Sequence, residues 1–334
     1  MIRVHILYPF QAGPWGGGNQ FLKALRSFLV ARGAYAESAS EANVILFNGH
    51  QHFEETVRQR QKRPEAIFVH RMDGILSTQN SHRLPHDHLI HAINDRVADA
   101  TIFQSEWSRN LSGRLGMKVK ELETVIPNAA DPSIFYPPAS IVPSTRTRLI
   151  ATNWSFNPKK GFDLYRFLDR ELDFSRFEMT FVGNSPFKFE RLQQLAPVSS
   201  AELGLLLRRH DAFITGSEDD ACSNSLIEAL ACGLPAAALC SGGHPELIGD
   251  RGILFEGVTD VLPALNALAV GLARFRAAAK PLGMNEIGER YISFFVRALE
   301  MKRPRQLSRQ SAFLLRRHIR HVKSKQRQLG RYNP

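Results

Sequence analysis

Two carboxylates eight residues apart, Asp220 and Glu228, flank Ser223, Asn224 and Ser225 in the stretch SEDDACSNSLIEALACGLPAAALCSGGHPE, residues Ser217 to Glu246. The three small polar residues are good helix N-caps. Gly233 and Pro235 end the helix that follows. A helix N-terminus presents unpaired N–H groups and about half a positive charge, which suits a phosphate. An ionised carboxylate only accepts hydrogen bonds, so it suits the hydroxyls of a sugar. The chemistry this spacing supports is recognition of a phosphorylated sugar or nucleotide. An amphipathic helix with acids at its exposed start accounts for the same residues without any ligand. Glu218-Asp219-Asp220 reads as a solvated acidic run rather than a metal cage, and no metal is expected.

Other polar residues stand where apolar runs end. His70, Arg71, Asp73 and Gly74 (HRMDG) close the run Ala66 to His70, and Gly16-Gly17-Gly18 follows the first run of the chain. Lys159-Lys160-Gly161 precedes a helical pattern. Ligands gather at such strand ends in parallel sheets. Each also has a plain structural reading: a core histidine, a turn at Asp73-Gly74, a chain reversal at the glycines, a solvated lysine. The glycines form neither a dinucleotide fingerprint, since Gln20 and Phe21 stand where a third glycine is needed, nor a Walker loop.

The elements that must position these residues alternate. Arg3 to Tyr8, Asn43 to Phe47, Ala66 to His70 and Ala100 to Gln104 read as buried strands, with helical stretches around 52–62 and 86–97. Prolines from Pro127 to Pro143 interrupt the pattern, which then restarts with strands at 147–153, 177–183 and 211–215. The fold class is α/β, with two Rossmann-like, doubly wound domains facing a central cleft. The boundaries fall at 1–130 and 131–284, with a hinge at 127–145, a last helix at 285–300 packing back on the first domain, and a basic tail at 301–334.

Composition narrows the class. The chain has 334 residues, enough for two domains, and 43% hydrophobic residues. Its start reads as a strand rather than a signal peptide. Three cysteines without C-x-x-C spacing fit a reducing compartment, so the expected location is cytoplasmic. The net charge of +11 is concentrated: eleven of the 43 basic residues lie between Met301 and Pro334, which holds no Asp or Glu. Leu307, Leu314, Leu315, Ile319 and Val322 form a helical stripe among those charges. That pattern suits an anionic membrane surface, on the inner membrane face for a cytoplasmic protein. A disordered basic end is the alternative, and no aromatic platform or reading motif speaks for nucleic acid.

Taken together, the motifs resemble those of the retaining GT-B glycosyltransferases of the "glycosyl transferases group 1" type, family 4. The resemblance runs from Met1 to about Leu299. GPWGGGNQFLKAL is similar to the family's N-terminal glycine loop, and VIPNAADPSIFYP to its hinge. NPKKGFDL is similar to its K-G-x-D-x-L segment. DACSNSLIEALACGLPAAALCSGGHPELI is similar to its block of two spaced acids, C-G-x-P and G-G-x-x-E. The resemblance implies transfer of a sugar from a nucleotide diphosphate-sugar to an acceptor hydroxyl with retention, in cell-surface polysaccharide, lipopolysaccharide or glycolipid synthesis. The acceptor would be a saccharide or lipid-linked, and no cofactor beyond the nucleotide-sugar co-substrate is implied.

By the same resemblance, Glu228 would bind the ribose and Asp220 would face the donor sugar. Ser223, Asn224, Ser225, Gly17 and Gly18 would cradle the diphosphate, and Lys160 would neutralise it. Gly242, Gly243 and Glu246 would line the donor sugar, and Val198 would contact the base. His70, Arg71 and Asp73 would sit where acceptor and reacting carbon meet. Two positions depart from the family pattern: Asp220 replaces a glutamate, and Ser155 stands where an arginine is usual, leaving Arg71 or Lys159 to substitute for it. The missing cation also allows a non-catalytic sugar-nucleotide-binding protein, and the two-domain plan allows a sugar-nucleotide epimerase.

Overall fold

The computed structural model of the chain describes residues 1–334 except 13–15, 49–51, 279–282, 302–305 and 333–334. Gly13, Pro14 and Trp15, part of the glycine loop read from the sequence, lie outside the described residues. Contacts divide the chain into two units. The first joins Met1–Phe10, Leu25–Pro127 and Gly288–Pro334, and the second joins Gln11–Ala24 to Asn128–Ile287.

In the first unit, β1 (Val4–Leu7), β2 (Val44–Asn48), β3 (Ile67–Arg71), β4 (Ala100–Phe103) and β5 (Glu123–Val125) form a parallel sheet in that order. Every residue of β2 and β3 is buried, which is why their sequences are apolar runs without alternation. A single bridge from Val4 to Tyr35 lies on the other side of β1. There Val4 N donates to Ala34 O and Ala36 N donates to Val4 O, both at 2.8 Å. The five strands thus run in sequence order, with that single-residue bridge beyond β1.

The second unit carries β6 (Thr147–Asn153), β7 (Phe177–Gly183), β8 (Gln193–Leu195), β9 (Ala212–Thr215), β10 (Ala236–Leu239) and β11 (Gly252–Phe255). They are parallel, in the order β11-β10-β9-β6-β7-β8. Leu149 and Ala151 enter one apolar core and Ile150 the other, so both faces of this sheet are covered. The crossovers leave β6 in opposite directions, placing the switch point between β6 and β9. Strands β5, β8 and β11 carry no clear sequence signal; β8 reads Gln193-Gln194-Leu195 and is mostly exposed.

The C-terminal tail corrects two expectations. Residues Arg309–Tyr332 are a helix that lies against the helices Phe53–Lys62 and Leu84–Val97. Leu307, Ala312, Leu315, Ile319 and Val322 join the core of the first unit beside Phe53, Val57 and Ile93. Arg316 donates to Gln61 at 2.7 Å, and Lys323 pairs with Glu54 at 3.0 Å. The tail is no disordered end. Nor can its apolar stripe enter a bilayer, because that stripe is already buried in protein; Leu314 alone of the expected set is exposed, at 46%. Among the described residues no single helix is long and apolar enough to cross a membrane.

Candidate functional site

A cavity of about 290 Å³ opens in the second unit at the carboxyl ends of β6 and β9. This is the switch point, where the two crossovers diverge and leave a crevice. Its lining includes Gly17, Trp154, Ser155, Lys160, Val198, Asp220, Ser223, Asn224, Ser225 and Glu228. Seven of the residues expected at a donor site are therefore brought together with Lys160 across far more than one stretch of sequence.

Backbone contacts fix the lysine and the aspartate. Gly161 has φ +78°, and a Cβ there would lie 2.5 Å from Gly216 O, so only glycine lets this loop reach the end of β9. Glu218 N donates to Lys159 O at 2.8 Å, which ties the lysine loop to the acidic loop. Lys160 Nζ then meets Asp220 Oδ2 at 3.0 Å. Gly243 N donates to Asp220 O at 2.8 Å, and Gly242, with φ +62°, lies so close that a Cβ would come within 2.3 Å of the same oxygen. Burial alone would raise the Asp220 carboxyl. The charges of Lys160 and His244, with the Cys222 N–H bond, outweigh it and hold the group below its ordinary value.

The helix Asn224–Ala231 begins at Ser223, whose side chain makes no capping bond to the helix. Gly17, the first residue of the helix Gly17–Ala31, lies against Asn224: a Cβ on Gly17 would come 2.3 Å from that side chain. Asn128 Nδ2 donates to Asn224 Oδ1 at 3.1 Å and holds it in place. Two helix starts thus meet at one wall of the cavity, with backbone N–H groups suited to anionic oxygens. Glu228 is open to the cavity but otherwise surrounded by protein, and that burial pushes its carboxyl up to about 8.

Several expected residues lie elsewhere. Gly18, Gly242, Gly243 and Glu246 do not line the cavity; the Gly242-Gly243 pair instead buttresses the backbone of Asp220. Lys159 pairs with Asp219 and does not line the cavity beside Ser155. Ser155 closes a turn in which it accepts from Asn157 N at 3.0 Å. Lys160 is the one lysine or arginine among the described residues lining the cavity. Among the described residues no group of three His, Cys, Asp or Glu could hold a metal ion.

In the first unit, His70 and Arg71 are both fully buried. His70 Nδ1 donates to Asn94 Oδ1 at 3.0 Å, and its ring stacks on Phe47 with centroids 4.4 Å apart. It is a core histidine, which corrects its expected place beside the reacting carbon. Arg71 bonds to Asn48 and pairs with Asp73 Oδ1 at 2.8 Å, so its charge serves the fold and not a diphosphate. Asp73 remains partly exposed at 24%. It also accepts from Asn48 Nδ2 at 2.7 Å and Gln104 Nε2 at 3.0 Å. Sequence reasoning missed Asn48 and Gln104, and also His244. The signal that finds the first two is their shared position at strand carboxyl ends, on β2 and just after β4.

Residues 164–269 match the family model described as "Glycosyl transferases group 1". No curated protein sequence matches the chain. Among solved structures, Anabaena Alr3699/HepE in complex with UDP superposes with TM-score 0.70 at 16% identity, over 89% of this chain and 100% of that one. A glycosyltransferase from Rickettsia africae gives 0.69 at 13% identity, over 90% and 99%. Sucrose-phosphate synthase from Thermosynechococcus elongatus gives 0.59 at 17% identity, over 87% and 81%. The fold is the GT-B plan that the motifs implied, and the group 1 glycosyltransferase signature runs through the second unit.

Proposed function

We propose that this glycosyltransferase of the group 1 kind moves a sugar from a UDP-sugar to an acceptor hydroxyl with retention at the anomeric carbon. The observation that carries the reading is the cavity at the β6 and β9 ends, where two helix starts, one lysine and two carboxyls converge. The choice of UDP is supported by the likeness to a protein solved with UDP and with UDP-glucose.

In this reading the diphosphate lies against the first turns of the helices that start at Gly17 and Asn224. Lys160 exchanges its partner, leaving Asp220 for the phosphate as negative charge grows on the leaving group. Preorganised charge of this kind is usually the largest catalytic contribution. Asp220, released from Lys160, accepts from hydroxyls of the donor sugar. Glu228 takes the ribose hydroxyls, whose donor hydrogens favour its ionised form. Val198 and Trp154 offer apolar surface for the base. The leaving phosphate accepts the proton of the acceptor hydroxyl on the same face of the sugar, so no separate base is needed. The acceptor is a saccharide or a lipid-linked one, and Asp73, held by Arg71, Asn48 and Gln104, is the carboxylate that the first unit offers to hydroxyls.

Thermal unfolding with UDP, GDP and ADP tests the donor. UDP at a hundredfold excess over Kd should stabilise the protein by about 2.7 kcal/mol, with GDP and ADP less effective. No shift with any of the three overturns the reading. A shift with UDP but no sugar release or transfer from UDP-glucose assigns instead a sugar-nucleotide-binding protein.

A further inference from the structure

The tail helix has a second face. Ala312, Leu315, Ile319 and Val322 recur at three- and four-residue steps and point into the first unit. Phe313, Arg317, Arg320 and Ser324 recur at the same steps on the opposite side, and all four are exposed. Leu314, His321 and Lys325 widen that outer face. Phe313 is 59% exposed and Leu314 46%, two adjacent apolar side chains held outward by a helix whose other side is fixed.

Charge surrounds them. Between Met301 and Pro334 there is no Asp or Glu to set against eleven Lys and Arg. Nearby acids on the first unit are engaged: Glu54 with Lys323, Glu55 with Arg58, and Asp95 with Lys118. The adjoining helix Leu84–Val97 adds the exposed His88 and Arg96. An isolated exposed phenylalanine is ordinary on a protein surface. Two apolar side chains on a helix that carries no acid of its own, beside Arg317, His321 and Lys325, are not, because solvation alone gives no reason to combine them. Shallow apolar insertion combined with phosphate contacts is the chemistry of an anionic bilayer surface.

We propose that the outward face of the Arg309–Tyr332 helix docks on anionic bilayers, with Phe313 and Leu314 entering the interface and Arg317, Arg320 and Lys325 on lipid phosphates. The helix does not bind as a free amphipathic segment. It is a rigid ridge whose inner stripe fastens it to the protein and whose outer face meets the lipid.

Co-sedimentation of the full chain with phosphatidylcholine vesicles, with and without phosphatidylglycerol, tests this. Binding is expected only with phosphatidylglycerol, and it should weaken as salt rises. Each basic residue at the surface is worth about fivefold, so Arg317→Glu with Arg320→Glu should weaken binding at least about 25-fold. Phe313→Ser with Leu314→Ser should weaken it about tenfold while keeping its salt dependence. These side chains are exposed, so the melting temperature of each variant should match the parent, which separates lost docking from lost fold. Failure of the parent chain to sediment with anionic vesicles overturns the proposal, as does unchanged binding by both double variants. Tight binding to single-stranded RNA without vesicle binding assigns the face to nucleic acid, and a dimer abolished by the apolar pair assigns it to a second copy; either also overturns it. The readout is vesicle binding, so it stands apart from sugar transfer.

Discussion

Both sheets end in an ion pair between a basic residue and an aspartate, and the two pairs are built for opposite ends. Arg71 in the first unit is fully enclosed, bonded to Asn48 and Asp73. Lys160 and Asp220 in the second unit keep 30% and 21% of their side-chain surface and open on a cavity. An enclosed guanidinium that gives up its partner leaves a bare charge in protein, so the pair acts as a strut. A lysine at a cavity wall can trade carboxylate for phosphate at little loss, so under the proposed function the pair acts as a reserve of charge. Proximity to a cavity, and not proximity to a motif, separates the two.

The sharpest way to break that contrast is to remove each cation in turn. Arg71→Met should reduce unfolding free energy by about 3–5 kcal/mol, read by denaturant titration, because Asp73 and Asn48 lose a buried partner. Lys160→Ala should lower turnover about 10²–10³-fold while shifting stability by less than about 1 kcal/mol. Should Lys160→Ala unfold the protein and Arg71→Met merely slow it, the distinction fails.

Smaller effects sharpen the picture of the cavity. Gly17→Ala would place a Cβ 2.3 Å from the Asn224 side chain. Overpacking of this kind costs about 1–3 kcal/mol, so calorimetric UDP binding should weaken roughly tenfold or more. Glu228→Gln tests the raised carboxyl. A ligand whose hydroxyls favour the ionised form binds more tightly as pH climbs towards about 8, and the glutamine variant should lose that slope. Stability runs the other way. The folded carboxyl keeps a proton that the unfolded chain releases above its ordinary value of 4.5, so its contribution is full below 4.5 and fades as pH rises to about 8. Glu228→Gln should accordingly melt higher than the parent at alkaline pH while binding UDP less well.

Part of the candidate site in the second unit was legible because that part is local: Asp220, Ser223 to Ser225 and Glu228 lie on one loop and one helix, and the stop signals place that helix. Gly242 and Gly243 were legible as a loop but not as the support of Asp220, since a close backbone approach across strands leaves no spacing pattern. The first unit was harder. His70 and Arg71 follow the rule that sites gather at strand ends, yet both turn inward, and only the packing of Phe47, Asn94 and Asn48 around them decides it. Asn48 and Gln104 belong to different strands and meet Asp73 only after the sheet forms. The tail helix was readable from its period, whereas the surface that accepts its stripe was not, because Phe53, Val57 and Ile93 lie more than two hundred residues upstream.

That last packing sets an order of assembly. The first unit closes with Leu307, Leu315, Ile319 and Val322, so residues made after Asn128–Ile287 complete a core begun before that segment. The segment Asn128–Ile287, by contrast, has left the ribosome before that core can be finished. Of the two units, the one begun earlier is therefore completed later, against the usual run of domains folding in order of emergence. A chain that stops short of residue 307 leaves Phe53, Val57 and Ile93 without their cover, an exposed apolar surface of the kind chaperones and proteases seize. The Arg309–Tyr332 helix in this way makes the core of the first unit depend on residues translated after the whole of the second.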